Sequence, residues 1–77
     1  MFYVSAKEFF LWEKKQLFKG GDKKSLYLLL ESIAGISHNE INLLRLNSEG
    51  VCYLKKNLDL IESFWDNHLA NNVPIQY

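Results

Sequence analysis

The chain has 77 residues, nine basic and nine acidic, with 48% hydrophobic content, four glycines and one proline. This length fits one small domain that buries only about 60 to 65% of the surface its unfolded form exposes. Zero net charge argues against a duplex-DNA-binding face, and the low glycine and proline content argues against disorder.

Cys52 is the sole cysteine, so an internal disulfide is impossible and a cytoplasmic location is expected. The opening MFYVSAKEFFLW is interrupted by Lys7 and Glu8. It supplies neither the roughly 7 to 15 apolar residues of a signal-peptide core nor the roughly 20 of a membrane span. No membrane partner is expected.

In chain order, Ser5-Ala6-Lys7-Glu8 has the form of a capping box and starts a first helix, with Val4 and Phe9 placed to form a hydrophobic staple. Lys14, Lys15 and Lys19 fall toward the end of that helix, where cations suit the dipole. Gly20-Gly21 supplies a left-handed stop. Asp22 is an N-cap for a second helix, whose Leu26, Leu29, Leu30 and Ile33 form one apolar stripe that ends at Gly35.

Ser37-His38-Asn39-Glu40 is a second capping box, and it opens a short helix that faces Ile41, Leu44 and Leu43 inward. From about Val51 the pattern Leu54, Leu58, Ile61, Trp65 and Leu69 keeps helical spacing to Asn71-Asn72. Pro74 then disfavours a helical Val73 and leaves Ile75, Gln76 and Tyr77 extended. No segment alternates convincingly, so the expected fold is all-α, a small bundle of four or five helices.

Catalytic chemistry is thin in this sequence. His38, His68 and Cys52 do not pair at metal-ligand spacing, and Cys52 reads as a packing residue. Gly20-Gly21 lacks the strand and spacing of a phosphate loop. Glu8 with Glu13, and Asp59 with Glu62 and Asp66, read as solvated pairs on helix faces rather than as general acids and bases. Phe9, Phe10, Leu11 and Trp12 occupy consecutive positions at about 100° per residue, so they cannot share one narrow stripe. An exposed apolar patch is expected there, since so small a core has few faces to offer. Lys14, Lys15, Lys19, Lys23 and Lys24 form a basic run beside it.

Trp12 in the first helix, the leucine-rich Ser25 to Ser32 (SLYLLLES), the break at Gly35-Ile36-Ser37 and the ending Asn72-Val73-Pro74-Ile75-Gln76-Tyr77 follow one another in a distinctive order. Together they resemble the N-terminal domain of the HemK/PrmC family, methyltransferases that modify the glutamine of the Gly-Gly-Gln motif in peptide chain release factors. The ending resembles the family's G-x-P-[LI]-Q-Y segment, with Asn72 where many members carry glycine.

The resemblance implies a substrate-recognition domain over residues 1–72 and the start of a linker over 73–77, carrying Pro74, Ile75, Gln76 and Tyr77. It implies a separate Rossmann-like domain that binds S-adenosylmethionine and carries Asn-Pro-Pro-Tyr, neither of whose motifs occurs in this sequence. The implied partners are a peptide chain release factor and the chain's own catalytic domain, with no catalytic, cofactor-binding or metal-binding residue in these 77 positions. Candidate partner contacts are Lys14, Lys15, Lys19, Lys23, Lys24, Phe10 and Trp12. The residues by themselves also allow a small helical module that binds nucleic acid through the lysine run, or one that offers its aromatic cluster to another protein. Zero net charge counts against nucleic acid.

Overall fold

Phe2-Tyr3-Val4-Ser5 and Val51-Cys52-Tyr53-Leu54 are both rich in aromatic and β-branched residues, which suit a pleated, half-buried surface. In the computed structural model, which describes residues 2–47 and 49–71, they form two antiparallel strands, β1 (Phe2–Ser5) and β2 (Val51–Leu54). The register pairs Phe2 with Leu54, Tyr3 with Tyr53, Val4 with Cys52 and Ser5 with Val51. Val4, Cys52 and Leu54 turn into the core, while Tyr3 and Tyr53 meet edge to face on the outer side at 4.9 Å. The Ala6 N–H donates to the Gly50 carbonyl at 2.9 Å, extending the pairing by one step.

Among the described residues four helices complete the architecture: α1 (Ala6–Phe18), α2 (Lys23–Leu29), α3 (His38–Leu46) and α4 (Leu58–Asn71). A π-helical turn, Leu30–Ala34, prolongs α2. The fold is therefore mixed α and β, and the expected all-α bundle is corrected by the two-stranded sheet. The long final helix is corrected as well. Val51 to Leu54 belong to a strand, and α4 begins only at Leu58, after Asn57 Oδ1 accepts the Leu60 N–H at 2.8 Å. Leu54 keeps its place in the apolar spacing because the strand delivers it to the same core that Ile61 and Trp65 enter. The expected exit from that helix and the linker residues Pro74 to Tyr77 lie outside the described residues.

Local signals account for most boundaries. The Ser5 hydroxyl accepts the Glu8 N–H at 3.1 Å, so one residue both ends β1 and caps α1. The reciprocal capping box forms at Ser37 with Glu40. Gly20 and Gly21 have φ of 125° and 79°, conformations that favour glycine. A Cβ on Gly21 would also lie 2.8 Å from the Trp65 ring, so this turn can close only over a bare backbone. Gly35, at φ 72°, ends the π-helical turn against the Lys55 stem.

The core is built from Phe9, Leu26, Leu29, Leu30, Ile36, Ile41, Leu54, Ile61 and Trp65, all effectively inaccessible to water. Trp65 is pinned by its indole N–H, which donates to the Gln16 carbonyl at 3.2 Å and so ties α4 to α1. Leu43, expected to face inward, is exposed, whereas Ile41 and Leu44 on the same helix are buried. Among the described residues, no helix is long and apolar enough to cross a membrane.

Candidate functional site

α1 buries Phe9, Trp12, Glu13 and Gln16, a spacing of three and four residues that defines a single inward stripe. Two of these four are polar. Glu13 receives the Tyr27 hydroxyl from α2, and Arg45 of α3 approaches both of its carboxylate oxygens at 3.4 Å. Arg45 Nη2 also donates to the Tyr27 hydroxyl oxygen at 2.6 Å and lies over the Phe10 ring at 4.5 Å. One phenol is thus held between a carboxylate and a guanidinium, and three helices meet at it. Burial and the Glu13 contact push the Tyr27 hydroxyl up to about 12, against the opposing pull of Arg45.

Tyr27 is buried, and a groove of about 560 Å³ opens beside it. Its lining combines Tyr27 and Leu28 of α2, Glu31 of the π-helical turn and His38 at the start of α3, with Lys23 and Lys24 at the rim. Lys23 Nζ lies 5.5 Å from the Tyr27 ring centre, and the His38 ring meets Tyr27 edge-on at 4.9 Å. Leu28 is 49% exposed, which leaves part of this floor apolar and open to solvent.

The lysine run divides in space. Lys19 bridges Glu62 at 2.7 Å and Asp66 at 2.8 Å, both on α4. Desolvation alone would lower the Lys19 pKa, but hydrogen bonds to Asp66 and Glu62 outweigh it and raise the value. The same bond from Lys19 holds the Glu62 carboxyl below its ordinary value, helped by the charge of Lys15. Lys14 and Lys15 remain exposed on α1, and Lys23 and Lys24 stand beside the groove. Phe10 is half-buried between Phe9 and Arg45. Trp12 is buried, whereas Leu11 and Phe18 on the opposite side of α1 are exposed.

Tyr27, Leu28, Glu31 and His38 escape a reading that follows local runs, because the groove assembles from two helices and the turn that prolongs one of them. Glu13 and Gln16 carried a usable signal, since both fall on the same helical stripe as Phe9 and Trp12. Among the described residues the sheet is a two-stranded antiparallel ribbon, and the Gly21 backbone lies against the Trp65 ring. Among the described residues, no three His, Cys, Asp or Glu side chains converge on a metal-holding position. Cys52 is buried, and burial pushes its thiol up to about 11, away from nucleophilic use at neutral pH.

Against known proteins, the chain is 28% identical over 75 residues to a release factor glutamine methyltransferase from Prochlorococcus marinus. The match takes in 97% of this chain and 26% of that relative, so the chain spans about a quarter of the relative's length. No protein-family model matches the chain. No solved structure matches it either.

Proposed function

We propose that this chain is the non-catalytic N-terminal, release-factor-recognising domain of a cytoplasmic protein-(glutamine-N5) methyltransferase. The observation that carries the reading is the near end-to-end similarity to a release factor glutamine methyltransferase of which the chain spans only about a quarter. The catalytic work, with S-adenosylmethionine as methyl donor, belongs in this reading to a separate domain that follows the 77 residues. The domain formed by this chain contributes orientation: contacts remote from the glutamine hold the release factor so that the side-chain amide enters the catalytic pocket in reactive geometry.

Exposed cations suit that task better than buried ones, which directs attention to Lys14 and Lys15 on α1. Steady-state methylation of release factor by the full-length protein tests the reading. Reversing both charges, Lys14→Glu with Lys15→Glu, is expected to raise KM by about tenfold with little change in kcat, as loss of uniform binding does. An unchanged KM removes these two residues from the contact surface. Calorimetric binding of S-adenosylmethionine to the 77-residue chain alone would overturn the assignment of a non-catalytic domain. A coding sequence that continues past Tyr77 without a glycine-rich loop and Asn-Pro-Pro-Tyr would overturn the parent enzyme.

A further inference from the structure

The groove beside Tyr27 joins an exposed apolar residue to a basic rim. Tyr27 behind it is buried and immobilised, because its hydroxyl is held by Glu13 and Arg45 and the ring cannot swing away without breaking both contacts. Leu28 stands in front of it as a half-exposed apolar step. An exposed aliphatic side chain on a rigid support favours an apolar side chain as occupant, since its burial costs little conformational entropy on the protein side.

Charge narrows the choice further. Lys23 and Lys24 stand at the rim against one acidic lining residue, Glu31. Neither rim lysine is in an ion pair among the described residues, unlike Lys19. Lys23 does lie over the Tyr27 ring, which keeps its ammonium close to the groove rather than extended into solvent. A negatively charged group next to an apolar one is therefore the complementary pattern. The wall containing Glu31 is the π-helical turn Leu30–Ala34, a geometry found mostly as single turns within α-helices and frequently at functional sites.

We propose that this groove docks a short acidic-aromatic segment of the protein partner, with its ring against Leu28 and a flanking carboxylate between Lys23 and Lys24. The inference rests on the recognition reading above and adds to it the chemistry of the segment that is bound. A nucleic-acid strand would meet the Glu31 carboxylate with its phosphates and would leave Leu28 without an aliphatic partner.

The test uses the isotopically labelled chain in solution, titrated with a blocked pentapeptide of sequence Gly-Asp-Phe-Glu-Gly, its counterpart Gly-Lys-Phe-Lys-Gly, and oligouridine RNA. The acidic peptide is expected to shift the amides of Lys23, Lys24, Tyr27, Leu28 and His38, with the basic peptide at least about tenfold weaker. Lys23→Glu with Lys24→Glu, and separately Leu28→Asp, should each weaken the acidic peptide by about tenfold, while Lys7→Glu, at an exposed position away from the groove, leaves it unchanged. These side chains are exposed, and an unchanged thermal melt shows that the variants fold.

Equal binding of the two peptides, shifts centred elsewhere, no shift at millimolar peptide, or stronger shifts of the same amides by RNA would each overturn the groove. The full-length enzyme separates the two levels. Leu28→Asp is expected to raise KM for release factor without lowering kcat. An unchanged KM, with wild-type release factor still methylated, overturns the groove and leaves the recognition reading standing. Undiminished methylation by an enzyme lacking all 77 residues overturns the recognition reading itself.

Discussion

Two charged clusters tie α1 to other helices, and they differ chiefly in their access to water. At one end Lys19 reaches two carboxylates of α4, Glu62 and Asp66, at 2.7 and 2.8 Å. In the middle Glu13 gathers Tyr27 and Arg45, with Arg45 at the longer distance of 3.4 Å. By distance alone the Lys19 bridge is the better ion pair. Yet the Asp66 side chain is 51% exposed and that of Glu13 only 8%, and exposure decides the energetics. A solvated bridge exchanges one good environment for another, whereas a buried carboxylate has no water to fall back on. The closer pair is thus the dispensable one, and the looser one organises the fold and the wall of the groove.

The largest expected effect follows from removing the buried acid. Glu13→Ala leaves the Tyr27 hydroxyl buried without its acceptor and Arg45 without its counterion. Breaking such a pair costs about 3 to 5 kcal/mol, and because the Arg45 side chain is 43% exposed and can turn to solvent, a loss near the lower end is expected. Urea denaturation measures it. A change below about 1 kcal/mol would place this cluster in the same class as the surface bridge and erase the contrast. The same variant should loosen the Tyr27 ring, so the acidic peptide should bind more weakly even where the fold survives.

Tyr27→Phe is the next smaller change, since the ring and its packing stay and only the hydroxyl goes. A loss of about 1 to 1.5 kcal/mol is expected, the usual value of one hydrogen bond. The variant also carries a pH signature. The folded Tyr27 titrates at about 12, above its ordinary 10.0, because burial and Glu13 favour the neutral phenol. That stabilisation is fully present below pH 10 and is lost as pH rises through 12, because the unfolded chain releases its proton first. Wild-type stability should therefore decline across this window, and Tyr27→Phe should remove that part of the decline. Parallel alkaline limbs in the two proteins would mean that the Tyr27 hydroxyl is not held as described.

The same contrast between near and distant partners explains what the sequence makes legible. The cap at Ser5, the capping box at Ser37 and the glycine stops at Gly20, Gly21 and Gly35 all act within a few residues, and each is found where its local signal points. The strands are different in kind. Phe2–Ser5 has no partner nearer than Val51–Leu54, so nothing local marks it, and the Leu54, Leu58, Ile61 spacing imitates a continuous helix across the junction. Asn57 was the local clue to the true start of α4, because its side chain caps that helix. The lysine run misleads for a related reason. Adjacency in sequence places Lys19 and Lys23 together, but the Gly20–Gly21 turn sends one toward α4 and the other toward the groove.

The smallest expected effect belongs to the surface bridge and sets the lower limit of the comparison. Lys19→Ala should cost about 0.2 to 1 kcal/mol, as exposed pairs do, and most of that should disappear at about 1 M salt, where screening extends over only about 3 Å. Its sign with pH is opposite to that of Tyr27. Glu62 is held below its ordinary value by Lys19, so its contribution is present above pH 4.5 and is lost as pH falls through the lowered value. Lys19→Ala should accordingly flatten the acid limb of stability and leave the limb between pH 10 and 12 to Tyr27 and the buried Cys52, apart from the small part due to Lys19's own raised pKa. A Lys19→Ala loss as large as that of Glu13→Ala, or one indifferent to salt, would show that α4 is held to α1 by this bridge rather than by the burial of Trp65 against Gly21 and the Gln16 carbonyl.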